Sequence, residues 1–284
     1  MRVAAVVVLY HPDERVALNI QSYQSDVEML FIIDNSDSIN NQLPQQLLTG
    51  DSVKYIRNGR NLGIAAALNL GASEAVALGF DYLLTMDQDS SFKEGQFQSL
   101  LSVLKKVKHE NVGVLSPVHG PTEIDEAKKD LLTVEVSFTM TSGNLLNLTA
   151  FRAAGEFDAS LFIDHVDHEY CFRLATKGYK VLVTPRVQLN HELGFVKTGR
   201  LLWMTPKFVS HSPVRTYYMI RNGLIVAQRY RQQFGWFFRL NIKLIFRELC
   251  KIPFESNKWT RVKLSALAFL DYVRSRTGKL EYYK

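Results

Sequence analysis

Short apolar runs recur along the first third of the chain, and each stops abruptly at polar or acidic residues. "VAAVVVL" (3–9) ends before His11, Pro12, Asp13 and Glu14. "EMLFIID" (28–34) ends at Asp34, Asn35 and Ser36. "VKYIR" (53–57) follows, and "YLLTM" (82–86) ends at Asp87-Gln88-Asp89. Runs of this length and composition read as buried strands. Between the third and fourth lies "LGIAAALNLGASEAVALG", a helical stretch with Asn61 placed to cap its start and Gly79 to stop it. Its alanine-rich faces let it sit close to a sheet. "GQFQSLLSVLKKVK" carries apolar residues at helical spacing, and "VGVLSPV" (112–118) is a fifth strand.

Strands alternating with helices in this way require a mostly parallel central sheet flanked by helices, an α/β fold. In such sheets ligands bind beyond the carboxyl ends of the strands. Tyr10, Asp34 and the pair Asp87/Asp89 each follow a strand, so they share one rim. The second half is less regular. "EVSFTMTSGNLLNLT" (135–149) reads as strand pieces broken at Ser142-Gly143, and "DHVDHEYCFRLATKG" (164–178) as a helix stopped by Gly178 before the strand "YKVLVTP". Residues 194–213 lack periodicity and suit a mobile active-site loop. From Ser212 onward three helical stretches follow. The expected division is a catalytic domain over residues 1–211 and a basic helical extension over 212–284.

Charge follows that division. Of the 34 Lys and Arg, seventeen lie from residue 200 onward, against only four Asp and Glu; the earlier part is acidic. Such a tail suits phosphates, an anionic membrane surface or nucleic acid, or else a solvated helical face. Nothing resembles a nucleic-acid-binding motif, and the acidic first part would repel a polyanion. Cys171 and Cys250 form neither a metal spacing nor a disulfide framework, which points to a reducing cytoplasm. The first apolar run is too short for a signal peptide, and no stretch reaches the roughly 20 apolar residues that span a bilayer.

Asp87 and Asp89 repel each other unless a cation gathers them. A hard divalent ion, Mg²⁺ or Mn²⁺, takes one or two carboxylates and completes its shell with water and substrate phosphates. Neither G-x-G-x-x-G nor a Walker G-K-[ST] occurs, which argues against dinucleotide oxidoreductases and ATPases. Asp167 suits general-base work on a hydroxyl, or serves the helix dipole alone. His165 and His168 form no recognisable zinc set.

Taken in order, "VVVLYHPD", "IIDNSD", "NGRNLGIAAALNLG", "MDQDSS", "TSGNLLN", "GEFDASLFIDHVDHEYCFR", "NH" and "YYMIRN" resemble the inverting family-2 glycosyltransferases of GT-A fold. Among these the chain is most similar to bacterial rhamnosyltransferases, over about residues 3–228. The resemblance implies that Asp34 reads a pyrimidine base with Tyr10 beside it, and that Arg60 and Asn61 lie near the nucleotide. Asp87 would contact the ribose or sugar, with Asp89 and His191 as metal ligands. Asp167 would be the catalytic base. Ser142, Gly143, Asp164 and Glu169 would face the acceptor, and Arg221, with Asn222, the leaving diphosphate. Val166 stands where much of the family has Glu, which leaves Asp164 and Asp167 as alternatives for the base; counting back from Arg173 favours Asp167. The implied donor is dTDP-L-rhamnose or a related nucleotide sugar, and the acceptor a surface glycan, often lipid-linked. In the tail, Trp236, Phe237 and Phe238 among Arg229, Arg231, Arg239, Lys243 and Arg247 suit an interfacial membrane contact or a homo-oligomer interface. A nucleotidyltransferase and a non-catalytic polyanion-binding protein are the rival readings.

Overall fold

A computed structural model describes residues 1–38, 47, 50–107, 111–119, 130–191, 196–198 and 207–281. Contacts divide the chain into two compact units, Met1–Asp158 with Asp167–Glu192, and Ala159–Val166 with Leu193–Lys284.

The first unit is built on one sheet. Its strands are β1 (Val3–Leu9), β2 (Met29–Asp34), β3 (Val53–Arg57), β4 (Tyr82–Asp87), β5 (Ser90–Phe92), β6 (Val112–His119), β7 (Val134–Val136), β8 (Asn144–Asn147) and β9 (Lys180–His191). They lie in the order β3-β2-β1-β4-β8-β6-β9-β5, with β7 also on β9. The helices are α1 (Arg15–Gln24), α2 (Ile64–Ala77), α3 (Gln96–Lys106), α4 (Leu148–Ala154) and α5 (Val166–Thr176).

Every residue of β1 is buried, so its alternate side chains feed both faces of the sheet. β1 pairs parallel with β2 on one side and β4 on the other. The register sets Asp34 opposite Leu9 and Asp87 opposite Val8. β2 and β3 are also parallel, as are β6 and β9. The sheet as a whole is mixed rather than mostly parallel: β8 runs antiparallel to β4 and β6, and β5 and β7 antiparallel to β9.

Helix α2 crosses β1 at very short range. A Cβ on Gly71 would lie 2.4 Å from Val6 Cγ2 and 2.8 Å from Val6 Cβ. Ala65, Ala67, Ala72 and Ala75 are buried on the same helix. Asn61 is not its N-cap. Gly63 holds that position at φ +87°, and Asn61 Oδ1 accepts the Gly63 N–H at 2.9 Å. Gly79, at φ +73°, follows the helix as expected.

The second unit contains α6 (Pro213–Arg229), α7 (Gly235–Lys251) and α8 (Lys258–Val273). Ser212 caps α6 by accepting the Arg215 N–H, with Pro213 in the first turn where its missing donor costs nothing. Tyr217, Tyr218, Ile220 and Leu224 of α6 pack with Phe162, Ile245, Leu264 and Ala268. Within the aperiodic stretch, β10 (Val196–Thr198) and β11 (Lys207–Val209) form an antiparallel pair. Residues 192–195 and 199–206, on which half of the expected loop falls, lie outside the described residues. No described helix is long and apolar enough to cross a membrane.

The α2–β1 contact makes a sharp prediction. Gly71→Val should lower stability by about 1–3 kcal/mol or more in urea unfolding, because overpacking there meets the stiff, β-branched side chain of Val6 on a buried strand. Gly235→Ala, with nothing within 4 Å of the new methyl, should leave the unfolding midpoint unchanged within error.

Candidate active site

The register of β1, β2 and β4 brings acids from separate stretches to one edge. Adjacent strands lie about 4.8 Å apart, so the backbones of Asp34 and Asp87 flank β1 at roughly 10 Å separation. Tyr10 leaves the end of β1 between them. Its N–H donates to Gln88 Oε1 at 2.8 Å, and Gln88 Nε2 donates back to the Tyr10 carbonyl at 3.2 Å. This reciprocal pair ties the β1 end to the acidic turn and leaves the phenol ring half exposed.

Asp87 is partly exposed and Asp89, in the turn before β5, is exposed. The Asp87 N–H donates to Ser142 Oγ at 3.0 Å, and the Gly143 N–H donates to the Thr85 carbonyl at 2.7 Å. Gly143 sits at φ +78°, and a Cβ there would meet Leu189 and Pro117 at 2.9 Å. Both conditions call for glycine. β5 then pairs with β9 so that Ser90 lies opposite His191, which carries the backbone of His191 next to the Asp89 turn. The His191 side chain lies outside the described residues.

Asp167 opens the first turn of α5. Its Oδ1 accepts the backbone N–H of His168 at 2.8 Å and lies 2.9 Å from His168 Nδ1, which locks the carboxylate against its own helix. Phe138 stacks against the His168 ring at 4.3 Å. Asp167 lines a small cavity with Thr85 of β4, Thr139, Thr141, Asn144 and Tyr170. Thr85 is two residues upstream of Asp87, so the cavity lies against the same strand end. Asn144 Oδ1 and Tyr170 Oη are buried without a protein partner, and ordered water commonly satisfies such groups. Burial pushes the Tyr170 phenol up and the Cys171 thiol up to about 12, so neither ionises near neutrality.

A model of the family described as "Glycosyl transferase family 2" matches residues 14–157, half of the chain. The chain belongs to glycosyl transferase family 2. It is 28% identical over 295 aligned residues to the dTDP-rhamnosyl transferase RfbF of Shigella flexneri, covering 98% of this chain and 97% of that one. Among solved structures it is similar to GalNAc-T7 with UDP, GalNAc and Mn²⁺ (15% identity, TM-score 0.61), covering 96% of this chain and 56% of that one. The S. aureus TarS 1–349 complex with UDP-GlcNAc is similar as well (11% identity, TM-score 0.62), covering 97% of this chain and 82% of that one. At those identities the structural likeness shows the fold alone, which is GT-A.

Several residues expected to meet substrate in this family-2 glycosyltransferase are engaged by the protein itself. Asp34 is fully buried: its Oδ1 accepts the Ser36 N–H at 2.8 Å and its Oδ2 accepts the Tyr55 hydroxyl at 2.6 Å. Its work here is to shape the turn after β2. The carboxylate that reaches solvent from this turn is Asp37, which accepts the Asn61 N–H at 3.1 Å and approaches the Tyr10 hydroxyl at 3.5 Å. Arg60 is exposed in the neighbouring turn. Ser142 and Gly143, expected at the acceptor, are buried; Ser142 holds Asp87 and Gly143 holds Thr85. Glu169, 2% exposed, binds Arg173 at 2.8 and 3.1 Å, and Arg173 also donates to the carbonyls of Ala154 and Glu156. These bonds clamp the helix to the loop before it.

The "RN" pair acts inside the second unit. Arg221, 1% exposed, donates to Asn222 Oδ1, Tyr217 Oη and the Gly278 carbonyl, each at 2.9 Å, instead of presenting its guanidinium to a diphosphate. Asn222 Nδ2 lies within hydrogen-bonding distance of the carbonyls of Leu161, Ile163 and Asp164. These carbonyls belong to a loop in which Phe162, Asp164 and His165 all adopt positive φ, a costly conformation for side-chain-bearing residues. Asp164 Oδ1 accepts from Arg215 Nε at 3.2 Å.

Sequence reasoning missed Asp37 and Gln88; the signal available was their position just past a strand, three residues beyond the end of β2 for Asp37 and one beyond the end of β4 for Gln88. Tyr55, whose phenol is pushed up to about 12 by burial and by Asp34, gave none. Tyr55→Phe should cost about 1–3 kcal/mol in chemical unfolding, because it strips a buried carboxylate oxygen of a donor. An unchanged midpoint would show that the Asp34–Tyr55 bond does not hold the turn.

Proposed function

We propose that the chain transfers L-rhamnose from dTDP-L-rhamnose to a hydroxyl of a growing surface polysaccharide or lipid-linked glycan, with inversion at the anomeric carbon. The observation that carries the reaction type is the shared strand edge: Asp87 on β4, Asp89 in the following turn, and Asp167 on the cavity that Thr85 lines. The choice of sugar rests on the dTDP-rhamnosyl transferase from Shigella flexneri, similar over nearly the whole of both chains.

The residues present fit a divalent cation. Asp87 and Asp89 are hard oxygen donors at an exposed edge, and a nucleoside diphosphate with water can complete the shell of Mg²⁺ or Mn²⁺. Among the described residues no group of three ligating side chains occurs. Asp89 would hold it, with Asp87 beside it toward the sugar and His191 as a further ligand. When bound, such an ion offsets negative charge growing on the departing diphosphate. GalNAc-T7 was solved with Mn²⁺ and UDP together.

The chain's own groups do the rest. Tyr10, pinned by Gln88, offers its ring to the base; Asp37, Arg60 and Asn61 frame the nucleotide from the adjoining turns. Asp167 takes the proton of the acceptor hydroxyl as that oxygen attacks the anomeric carbon opposite the leaving group. His168 fixes the carboxylate through two contacts to Oδ1, and Asp167, unlike Asp164, lines the cavity that Thr85 shares, which supports it as the base. Over residues 1–211 the chain would then be catalytic. The helices of 212–284 would bring it to an anionic membrane surface where a lipid-linked acceptor resides, at the inner face of the cell membrane, with a homo-oligomer as the other use of that surface.

The test is an assay of sugar transfer with dTDP-L-rhamnose and the small product identified. The expected product is dTDP, with turnover lost on chelation of divalent metal and in Asp89→Ala. Asp167→Asn should slow turnover about 10²–10⁴-fold while donor binding persists. Pyrophosphate release from a nucleoside triphosphate would instead make the chain a nucleotidyltransferase. Full turnover in Asp167→Asn would remove it as the base.

A further inference from the structure

Helix α8 has two apolar sides, and among the described residues only one of them is packed. Arg261, Leu264, Ala268 and Asp271 are buried, with Leu264 and Ala268 in the core shared with α6. On the far side Trp259 is 80% exposed and Val273 76%, with Val262, Phe269 and Leu270 also exposed. At 100° per residue these five fall within an arc of about 100° along a helix of about 24 Å. Lys258 borders the arc on one side and Lys263 on the other, both exposed. A contiguous apolar stripe of this kind on a water-facing helix marks a surface that meets something.

We propose that this stripe of α8 docks the enzyme on an anionic lipid bilayer, the helix lying in the headgroup boundary with Trp259 and Phe269 inserted. The inference rests on the membrane-bound acceptor of the proposed function and names the element that reaches it.

Charge decides the occupant. Lys258 and Lys263 edge the stripe, and the chain from residue 200 onward holds seventeen Lys and Arg against four Asp and Glu. A second copy seated on the stripe would bring these cations against their own kind. Phosphatidylglycerol headgroups would neutralise them. The preceding helix has the same chemistry: on α7, Trp236 and Phe246 are exposed among exposed Arg239, Lys243 and Arg247. This revises the aromatic cluster read from the sequence, because Phe237 is 1% exposed and packs inward. No described helix can span a bilayer, so the contact is interfacial.

Vesicle flotation of the full chain tests this. The wild type should float with phosphatidylcholine vesicles containing phosphatidylglycerol, sediment with phosphatidylcholine alone, and be released by salt. Trp259→Glu/Phe269→Glu should reduce the bound fraction at least about tenfold. Lys258→Glu and Lys263→Glu should each reduce it about fivefold or more. Both sets should keep the wild-type circular dichroism and dTDP binding measured by calorimetry. Equal binding to neutral vesicles, or flotation unaffected by the Trp259/Phe269 pair, would overturn the proposal. So would a wild-type dimer in light scattering that this pair converts to monomer, which assigns the stripe to a second copy. Retained dTDP binding without flotation defeats the docking alone; flotation without dTDP binding defeats the donor reading and leaves the docking intact.

Discussion

The whole site depends on the parallel pairing of β1 with β2 and β4. Backbone hydrogen bonds along those two ladders set Asp34 level with Leu9 and Asp87 level with Val8. A slip of one residue in either ladder would turn a buried apolar residue outward and carry an acid off the edge. The slip is opposed by β1 itself, buried along its full length, and by Gly71, where α2 comes so close to Val6 that no Cβ fits between them. Tight packing between helix and sheet thus determines where the carboxylates end.

Around that edge the protein spends much of its polar chemistry on itself. Ser142 and Gly143 fasten Asp87 and Thr85, Gln88 and Tyr10 hold each other, and Tyr55 secures Asp34. These bonds hold the edge in one arrangement and leave Asp37, Arg60, Asp87 and Asp89 at its surface, the pre-organisation that the proposed reaction calls for. The second unit uses the same strategy: Asn222 and Arg221 stabilise a loop of three left-handed residues, a conformation that would be costly if left to itself.

Much of this was legible in the sequence, and the failures share one cause. Strand runs with acidic stops identified β1 to β4 and the edge they form, because apolar patterning is a local signal. Helices α2, α3, α5 and α6 to α8 were legible for the same reason. What periodicity does not carry is a side chain's partner. Asp34 looked available because Tyr55, twenty-one residues downstream, gives no sign of reaching it. Arg221 looked like a phosphate ligand because Gly278, fifty-seven residues away, is not a motif. The Glu169–Arg173 pair, by contrast, is local: its i,i+4 spacing on one helix is legible in the sequence. The mixed sheet was missed because β7 and β8 are short and their pairing is non-local. Exposure on α7 and α8 also escaped composition, which counts aromatic residues without telling Phe237, inside, from Trp259, outside.

The central claim is that the β4 end and the turn after it hold a nucleoside diphosphate through a divalent ion. The most direct measurement is a crystal structure of the chain with dTDP and Mn²⁺, with the ion located by its anomalous scattering. The account predicts one strong peak within coordination distance of Asp89 and of the diphosphate oxygens, with the base beside Tyr10. A peak elsewhere, or a nucleotide bound away from the ends of β1, β2 and β4, would contradict it.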